Sequence, residues 1–329
     1  MPLSLRRGRV TAIVEEHEEL VRLEVDGAPC VAYPQLTGQV ALDDDVLVNV
    51  QARELGLGSG GFEVLHANLT RGLDLPATAG AHVMKLPYTS LQAAALHAEE
   101  GTSLADDLGG MPVVCCSLHS QVAPVCAGLG GELRVAYVQT PGGALPLPLS
   151  DAVRAVRARG LLATTVSAGA CFGGDRESVG VASALAWAVE AGHDAVVCAI
   201  GPGIVGTGSR LGHGGLAAAE AVNAAAALGG SPVLAPRVSS ADERERHRGV
   251  SHHTQSVLAL CTGGVTIAWP AGLEAPNWVE PRREVDVEGW QEACAGLPLS
   301  HMGRGVEEEP WFFAAAFAAG RLAQSLAGA

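Results

Sequence analysis

Between Leu5 and His66 the chain alternates apolar and polar positions in short runs, as β-strands with one buried face do. RVTAIVEE, LVRLEVDG and DVLVNV are three such runs, and Gly, Asp and Pro separate them at close spacing. The pair Asp26-Gly27 stands between two runs and is typical of a hairpin turn. We predict a small β-barrel-like domain over residues 1–75.

From residue 111 the pattern changes to continuous apolar runs that alternate with helical segments. The predicted strands are MPVVCCSL, LRVAYVQT, LLATTVSAG, DAVVCAIG, PVLAPRV and VTIAWP. Apolar strands that alternate with helices indicate βαβ units and a sheet that is covered on both faces. We therefore predict an α/β fold over residues 111–329, with a doubly wound and mostly parallel sheet.

Two further segments complete the predicted organisation. Residues 76–110 are expected to connect the domains through a helix at 91–100 and an exposed loop. The last helix, WFFAAAFAAGRLAQSL, is apolar enough to pack on the sheet or on another subunit. A homo-oligomer is therefore one of the expected assemblies.

Charge and composition restrict the classes of partner. A formal net charge of −14 argues against nucleic acid, because binding phosphates requires a basic surface. We find no apolar run of the roughly 18 residues that a membrane span needs. Arginines follow the first apolar residues too soon for a secretory signal. We expect a cytoplasmic protein with neither a nucleic acid nor a membrane partner.

The eight cysteines form no CxxC pair and no zinc-type spacing. Most lie in apolar segments, where a reduced thiol packs as a small hydrophobic group. Cys171 is set apart because glycines surround it. A thiol beside the first amides of a helix can have a lowered pKa, so Cys171 is a candidate nucleophile as well as a packing residue.

Polar and glycine-rich segments follow five successive predicted strands, at 117–121, 140–146, 167–178, 201–215 and 239–254. Parallel strands end at the same edge of a sheet, and ligands of open α/β sheets bind beyond that edge. We predict one composite site there. Its first two segments contribute the candidate ligand-binding residues His119, Thr140, Gly142 and Gly143.

The stretch AIGPGIVGTGSRLGHGG follows a predicted strand and is dense in glycine. Gly201, Gly203 and Gly206 have the GxGxxG spacing, but Pro202 interrupts the motif, and no Gly-Lys-Ser end is present for a P-loop. Backbone amides before a helix suit a phosphate or carboxylate, with Thr207 and Ser209 as further donors. Close backbone packing and a mobile lid are the alternatives.

The segment GACFGGDRES places an acid among glycines. Asp175 could ligate a metal, act as a general base, or cap a helix that begins at Arg176. Gly173 and Gly174 are candidates for ligand binding there.

The segment from Arg237 to Thr254 carries the densest set of charges and histidines. His252 and His253 are adjacent, and we expect the first turn of a helix to hold them between Ser251 and Thr254. The candidate catalytic residues of the whole chain are His252, His253, His247, Asp242 and Asp175. Arg237, Arg246 and Ser251 are candidate ligand-binding residues, and His213 and His119 are weaker candidates of either kind.

Any cofactor remains unknown at this stage. A divalent metal is one candidate, with Asp175, Asp242 and His252 as its ligands, although no established zinc spacing is present.

Five motifs together resemble one uncharacterised bacterial family, a domain of unknown function. They are HVMKLPYTSLQ, GGALP, GACFGGDRES, GPGIVGTGS and RVSSADERERHRGVSHHT. The resemblance covers almost the whole chain, and it implies that these loops form one site. Where the family pattern has Thr-Asp-Gly, this chain reads TPGG, with Pro141 in place of the acid.

The residues favour an enzyme that acts on an anionic small molecule, by hydrolysis or another group transfer. The glycine segments would hold a phosphate or carboxylate, Arg237 and Arg246 would neutralise it, and a histidine would move a proton. A non-catalytic sensor that binds a nucleotide or metabolite is the alternative. Redox chemistry at Cys171 is a third reading.

Overall fold

The structure, a computed structural model, describes residues 3–56, 61–72, 75–279 and 281–328. The chain divides into two compact units, residues 1–96 and 97–329. The connecting segment predicted at 76–110 is divided between them.

The first unit is built on a closed five-stranded barrel. Its elements are β1 (Leu5–Glu16), β2 (Val21–Val25), β3 (Ala28–Ala32), α1 (Pro34–Thr37), β4 (Asp45–Asn49), α2 (Gln51–Glu54) and β5 (Glu63–Asn68). The strand order is β1-β2-β3-β5-β4, and β3 and β5 run parallel. Alternate residues, such as Val21, Leu23 and Val25, fill the barrel. The predicted hairpin is confirmed, because Asp26 and Gly27 both have positive φ and join β2 to β3.

The helix predicted at 91–100 is wrong. Residues Ala93–Ala95 form strand β7, which pairs antiparallel with β6 (Val83–Lys85). Alanine and glutamate favour helix intrinsically, but that preference is a few tenths of a kcal/mol per residue and pairing within the fold overrides it.

The second unit alternates strands and helices, as predicted. Its strands are β8 (Pro112–Cys116), β9 (Val135–Thr140), β10 (Thr164–Ala168), β11 (Arg176–Ser178), β12 (Ala195–Ile200), β13 (Ser231–Ala235), β14 (Val238–Ser239), β15 (Gly249–Val250), β16 (Thr266–Pro270) and β17 (Arg282–Val285). Its helices are α3 (Val122–Leu129), α4 (Asp151–Ala158), α5 (Val181–Glu190), α6 (Ala217–Ala227), α7 (His252–Leu260), α8 (Trp290–Ala293) and α9 (Pro310–Ala327).

Eight of these strands form one parallel sheet in the order β11-β10-β9-β12-β8-β13-β16-β17. Successive residues of β8 point to opposite faces, so Val113 packs in one core and Val114 in the other. Helices α5, α6 and α7 cover the first core, and α3, α4 and α9 cover the second. This confirms the doubly wound, parallel α/β fold.

Helix α9 packs within its own unit. Its alanines pack in the core of the sheet and α3, and Phe312, Phe313 and Phe317 are fully buried, the first two in a cluster with Leu118. The packing alternative of the sequence analysis therefore accounts for its composition. Within the described residues, every helix is too short or too polar to span a bilayer.

Candidate functional site

The sheet order brings the exits of β12 and β13 together, because both strands pair with β8. Helix α3, which follows β8, lies on one face of the sheet, whereas α6, which follows β12, lies on the other. Neighbouring strands whose helices take opposite faces leave a crevice at their carboxyl ends, where ligands of such sheets bind. The residues beyond β12, β8 and β13 are therefore the candidate site.

The exit of β12, residues 201–212, is called here the glycine loop. A Cβ on Gly201 would collide with the carbonyl oxygen of Ala144, and one on Gly143 would collide with that of Gly201. Gly142 and Gly214 approach each other in the same way. These glycines allow the exits of β9 and β12 to pack backbone against backbone.

The tip of the glycine loop folds back on itself. Thr207 donates its amide to the carbonyl of Gly212 at 2.8 Å, and its hydroxyl lies 2.9 Å from that of Ser209. Gly206 forms a bridge with His213, and Gly203 takes positive φ. The amide and the hydroxyl of Thr207 are thus bonded within the loop itself. The turn places His213 in the buried crevice.

The exit of β13, residues 237–250, is called here the charged segment. Strands β14 and β15 pair antiparallel and close it into a loop. Arg237 accepts the amide of Ser251 on its carbonyl at 2.9 Å. The Ser251 hydroxyl accepts the amide of His253 at 3.1 Å, which caps α7 and confirms the predicted helix start.

Four imidazoles meet where the two exits converge: His213, His247, His252 and His253. His213 and His253 stack in nearly parallel planes with ring centroids 3.7 Å apart. His252 lies 4.6 Å from His253 and 4.7 Å from His247, again between ring centroids. We call this group the histidine cluster. His213 comes from the glycine loop side, and the other three come from the charged segment and the first turn of α7.

The cluster is held uncharged. Burial, and then the nearby Arg237, lowers the pKa of His247 to about 3 and that of His253 to about 2. Burial also lowers the pKa of His213 and of His252, and for His252 the charge of Arg246 adds to the effect. Neutral imidazole is the form that accepts a proton or binds a metal ion.

Hydrogen bonds occupy only part of the cluster. Arg237 donates to Nδ1 of His253 at 3.1 Å, and Nδ1 of His247 lies 2.7 Å from the Ser251 hydroxyl. Both ring nitrogens of His213 and Nε2 of His252 are buried with no hydrogen-bond partner among the described residues. Nitrogens of His213, His252 and His253 all lie within 4.8 Å of one another and could hold one metal ion.

A network of ion pairs centred on Asp242 contacts the histidine cluster through Arg237. The Asp242 carboxylate accepts hydrogen bonds from Arg237 at 3.3 Å, Arg244 at 2.8 Å and Arg304 at 3.4 Å. Burial raises the pKa of Asp242, but the hydrogen bonds from Arg244 outweigh this and hold it far below its usual range. Glu309, fully buried, accepts from Arg304 and from Ser239.

These contacts change the role that we assign to two residues predicted to lie in the site. Arg237 and Asp242 are each 2% exposed in their side chains and are paired with each other. Both side chains are bonded to neighbouring residues, which favours a supporting role, although Nε of Arg237 is buried without a partner among the described residues. The exposed cation at the cluster is Arg246 instead, whose guanidinium lies 3.8 Å from where a Cβ of Gly208 would stand.

Asp175 lies away from the histidines. Its carboxylate accepts the amide of Thr165, near the start of β10, and pairs with Arg157 at 2.8 Å. Residues Arg176–Ser178 form β11, parallel to β10, so the predicted helix at Arg176 is wrong and Asp175 caps none. The strand carries its first residue back toward the amino-terminal half of β10, away from the carboxyl edge.

The other predicted residues of this edge have structural contacts. Gly173 donates its amide to the Glu177 carboxylate at 2.7 Å, and a Cβ on Gly174 would press on Ser167. Cys171 and Thr140 are buried. His119 uses both ring nitrogens, one at 3.0 Å from the Ile200 carbonyl and one at 2.7 Å from the Ser150 hydroxyl. Burial lowers its pKa to about 4.

Arg304, Glu309 and His301, in the segment before α9, were not among the residues predicted from the sequence. His301 stacks on Phe312 with ring centroids 3.9 Å apart and lies 3.2 Å from the Ser120 hydroxyl. The signal was present in HMGRGVEEEP, where charged and histidine residues precede a buried helix. No strand exit leads to it directly, so the rule about strand ends passed over it.

A cavity of about 250 Å³ lies on the other side of the charged segment. Its walls are β14, β15 and the rings of Trp269 and Trp311, with Arg248 and Glu274 at its polar side. Its described lining contains no histidine. The candidate site therefore rests on the histidine cluster, which carries the reactive groups.

The fold and the crevice define the class of the second unit: a doubly wound α/β domain with a histidine- and arginine-rich candidate site at its topological switch point. The chain belongs to the DUF3866 family, described as a protein of unknown function, whose model matches residues 29–320. This confirms the resemblance to an uncharacterised family. Among curated proteins, none matches the sequence.

Proposed function

We propose that the protein is an enzyme that performs hydrolysis or another group transfer on an anionic small molecule bound at the histidine cluster. The observation that carries this is the pairing of uncharged, partly unsatisfied imidazoles with an exposed arginine. Among the described residues, Arg246 forms no hydrogen bond or ion pair, and its charge acts on His252. An arginine free of internal partners suits a phosphate or carboxylate, which it can bind through two parallel hydrogen bonds.

The chemistry follows from charge. The arginines of the ion network outnumber its acids, and Arg246 adds a further cation, so the potential at the cluster favours an anion. A neutral imidazole beside the bound anion offers a lone pair to a proton or to an electrophilic centre. Proton transfer by a histidine contributes about 10²–10⁴-fold to a rate when its pKa lies near the working pH, and a bound anion would raise the lowered pKa values of His247 and His253 toward it.

The setting of the reaction is also part of the proposal. All eight cysteines are free, which suits a reducing compartment, and we propose that the protein acts in the cytoplasm. Its partner would be a small anionic molecule. Any homo-oligomer would use a surface other than the buried face of α9.

The first experiment is a thermal-shift screen of the full chain with inorganic phosphate, phosphorylated metabolites and nucleotides, with and without Mg²⁺, Mn²⁺ and Zn²⁺. A ligand at about 100 times its Kd adds about 2.7 kcal/mol of stability, which raises Tm by several degrees. Hydrolysis of p-nitrophenyl phosphate is then measured for any condition that gives a shift.

Arg246→Gln is the informative variant, and Arg283→Gln, at an exposed position of edge strand β17, is its matched control. We expect Arg246→Gln to lose the shift and Arg283→Gln to keep it. An equal shift in both variants would contradict anion binding at the cluster. Binding without turnover of any ligand in the screen would favour the sensor function.

A further inference from the structure

We propose that His213, His252 and His253 bind one divalent transition-metal ion. Their ligand nitrogens lie within 4.8 Å of one another. Zinc–imidazole bonds are about 2.0–2.1 Å, so two ligands of one tetrahedral ion lie about 3.4 Å apart. Because the rings of His213 and His253 stack in nearly parallel planes, one of them must turn out of the stack before both lone pairs can point to a single ion.

The hydrogen-bond inventory supports an ion at this place. His213 is 8% exposed, and neither of its ring nitrogens makes a hydrogen bond of ordinary geometry among the described residues, although the backbone of Arg210 is near enough to oppose the lowering of its pKa. Nε2 of His252 also makes no hydrogen bond there. Buried polar atoms in folded proteins are satisfied by protein, water or an ion in the great majority of cases. Two such rings turned to one place indicate a shared occupant.

The ring of His253 is held in position by Arg237. Arg237 can only donate, so its contact with Nδ1 of His253 leaves Nε2 as the nitrogen available to an ion. That nitrogen carries the ring hydrogen in the uncharged residue. For the neutral ring to bind an ion there, Arg237 must withdraw from Nδ1, and the ring hydrogen moves from Nε2 to Nδ1.

The donor set selects the kind of metal. Imidazole nitrogens suit Zn²⁺, Co²⁺, Ni²⁺ and Cu²⁺, whereas Mg²⁺ and Ca²⁺ require oxygen ligands. The nearest candidate carboxylate, that of Asp242, is occupied by three arginines. Asp175 lies at the other end of β10. The metal ligands predicted from the sequence thus share only His252 with this site.

Three protein ligands leave a fourth position on a tetrahedral ion for water or for an oxygen of the substrate. Only this role rests on the proposed function; binding of the ion stands without it. The surrounding arginines disfavour a bare dication, and a bound anion offsets their charge. We therefore expect metal and phosphate to bind cooperatively, each tightening the other by the same factor.

Co²⁺ is the probe, because tetrahedral coordination gives it a strong visible absorption. The full chain is titrated with Co²⁺ and then with Zn²⁺, with and without inorganic phosphate. We expect one Co²⁺ per chain, displaced by Zn²⁺, and at least a tenfold loss of affinity in His213→Gln, His252→Gln and His253→Gln. Removal of outer-sphere groups alone typically costs 10–100-fold in metal affinity, so loss of a ligand should be no smaller.

His193→Gln is the matched control. His193 is also buried with an unpartnered ring nitrogen, but its ring neighbour is Trp187 and it precedes β12 at the opposite edge of the sheet. It should keep full Co²⁺ affinity. Should the cluster variants misfold, the histidine ¹⁵N resonances of the unaltered protein provide a second readout: Zn²⁺ should shift three of the eleven histidines.

Absence of stoichiometric Co²⁺ binding, or unchanged affinity in the His213→Gln/His252→Gln double variant, would overturn the metal site. Phosphate binding that depends on Arg246, in a protein that binds no Co²⁺, would leave the proposed function standing while the metal site fails. Metal binding that no anion changes would leave the metal site standing and contradict the proposed function.

Discussion

The glycine loop and the charged segment sit side by side at one edge of the sheet, and they use opposite means to do so. The glycine loop removes side chains so that Gly142 and Gly214, and Gly143 and Gly201, meet through their backbones. The charged segment fills its interior with paired charges around Asp242. Both look functional in the sequence. Where the two meet, buried polar atoms lack a partner on both sides: the ring nitrogens of His213 after the glycine loop, and Nε2 of His252 after the charged segment.

This difference gives a rule that separates polar groups that stabilise the fold from polar groups that could bind a ligand. A polar group whose partners are all within the protein stabilises the fold, as Asp242 and His119 do. A buried group without such partners, as in His213 and His252, is available to a ligand. Measurements of the free energy of unfolding test this rule, since replacing a supporting group should lower it strongly and replacing a site group should not.

The largest effect is expected for Asp242→Asn. The variant leaves Arg237 buried beside a neutral amide, and removing one partner of a buried ion pair costs about 3–5 kcal/mol. Chemical denaturation at pH 7 measures the loss. Asp151→Asn, at an exposed pair with Arg154, is the control and should cost less than about 1 kcal/mol. Equal losses would show that the network is not the support described here.

Gly214→Ala should follow. Its new Cβ would collide with the Gly142 carbonyl, so the two strand exits must separate, and overpacking of this kind costs about 1–3 kcal/mol. Gly131→Ala is the control, because the space around Gly131 is open. Chemical denaturation of both variants compares their free energies of unfolding. A stable Gly214→Ala protein would mean that the loops are not held by close packing.

A third prediction concerns His119 and pH. Its pKa is about 4 in the folded protein and about 6.5 when unfolded, so the unfolded chain takes up the proton first as the pH falls. His119 therefore destabilises the fold progressively between about pH 6.5 and 4, by at most about 2 kcal/mol at pH 5, and has no such effect at pH 7. His119→Gln should lose less stability between pH 7 and 5 than the unaltered protein. Parallel curves for the two would contradict the uncharged state of this half-buried ring.

The central architecture was predictable because it follows from local patterns. The apolar runs predicted β8, β9, β10, β12, β13 and β16, and their parallel exits predicted the edge that holds the cluster. The edge strands β11 and β17 were missed, since RES and RREV are short, polar and partly exposed. The hairpin of β6 and β7 was missed because alanine favours helix in isolation.

The composition of the cluster was less predictable. Ser251 before two histidines indicated the start of α7, so the position of His252 and His253 could be predicted. The stacking of His213 on His253 could not, because it depends on β12 and β13 both pairing with β8. Asp175 was assigned to the wrong end of the sheet because its strand, β11, was taken for a helix.

The smallest effect on stability is expected for His252→Gln, and it tests the rule most directly. Nε2 of His252 has no partner in the described structure and the ring is half-buried, so its loss removes no internal hydrogen bond at that atom. Surface substitutions change stability by about 0.5 kcal/mol or less, and the lost ring contacts with His247 and His253 add to this, so we expect a loss below about 1 kcal/mol. Denaturation at pH 7 in the presence of a chelator measures the change in the free energy of unfolding without a contribution from bound metal. A loss above about 1 kcal/mol would place His252 with Asp242 among the supporting groups, whereas an unchanged midpoint together with lost Co²⁺ binding would place it in the site.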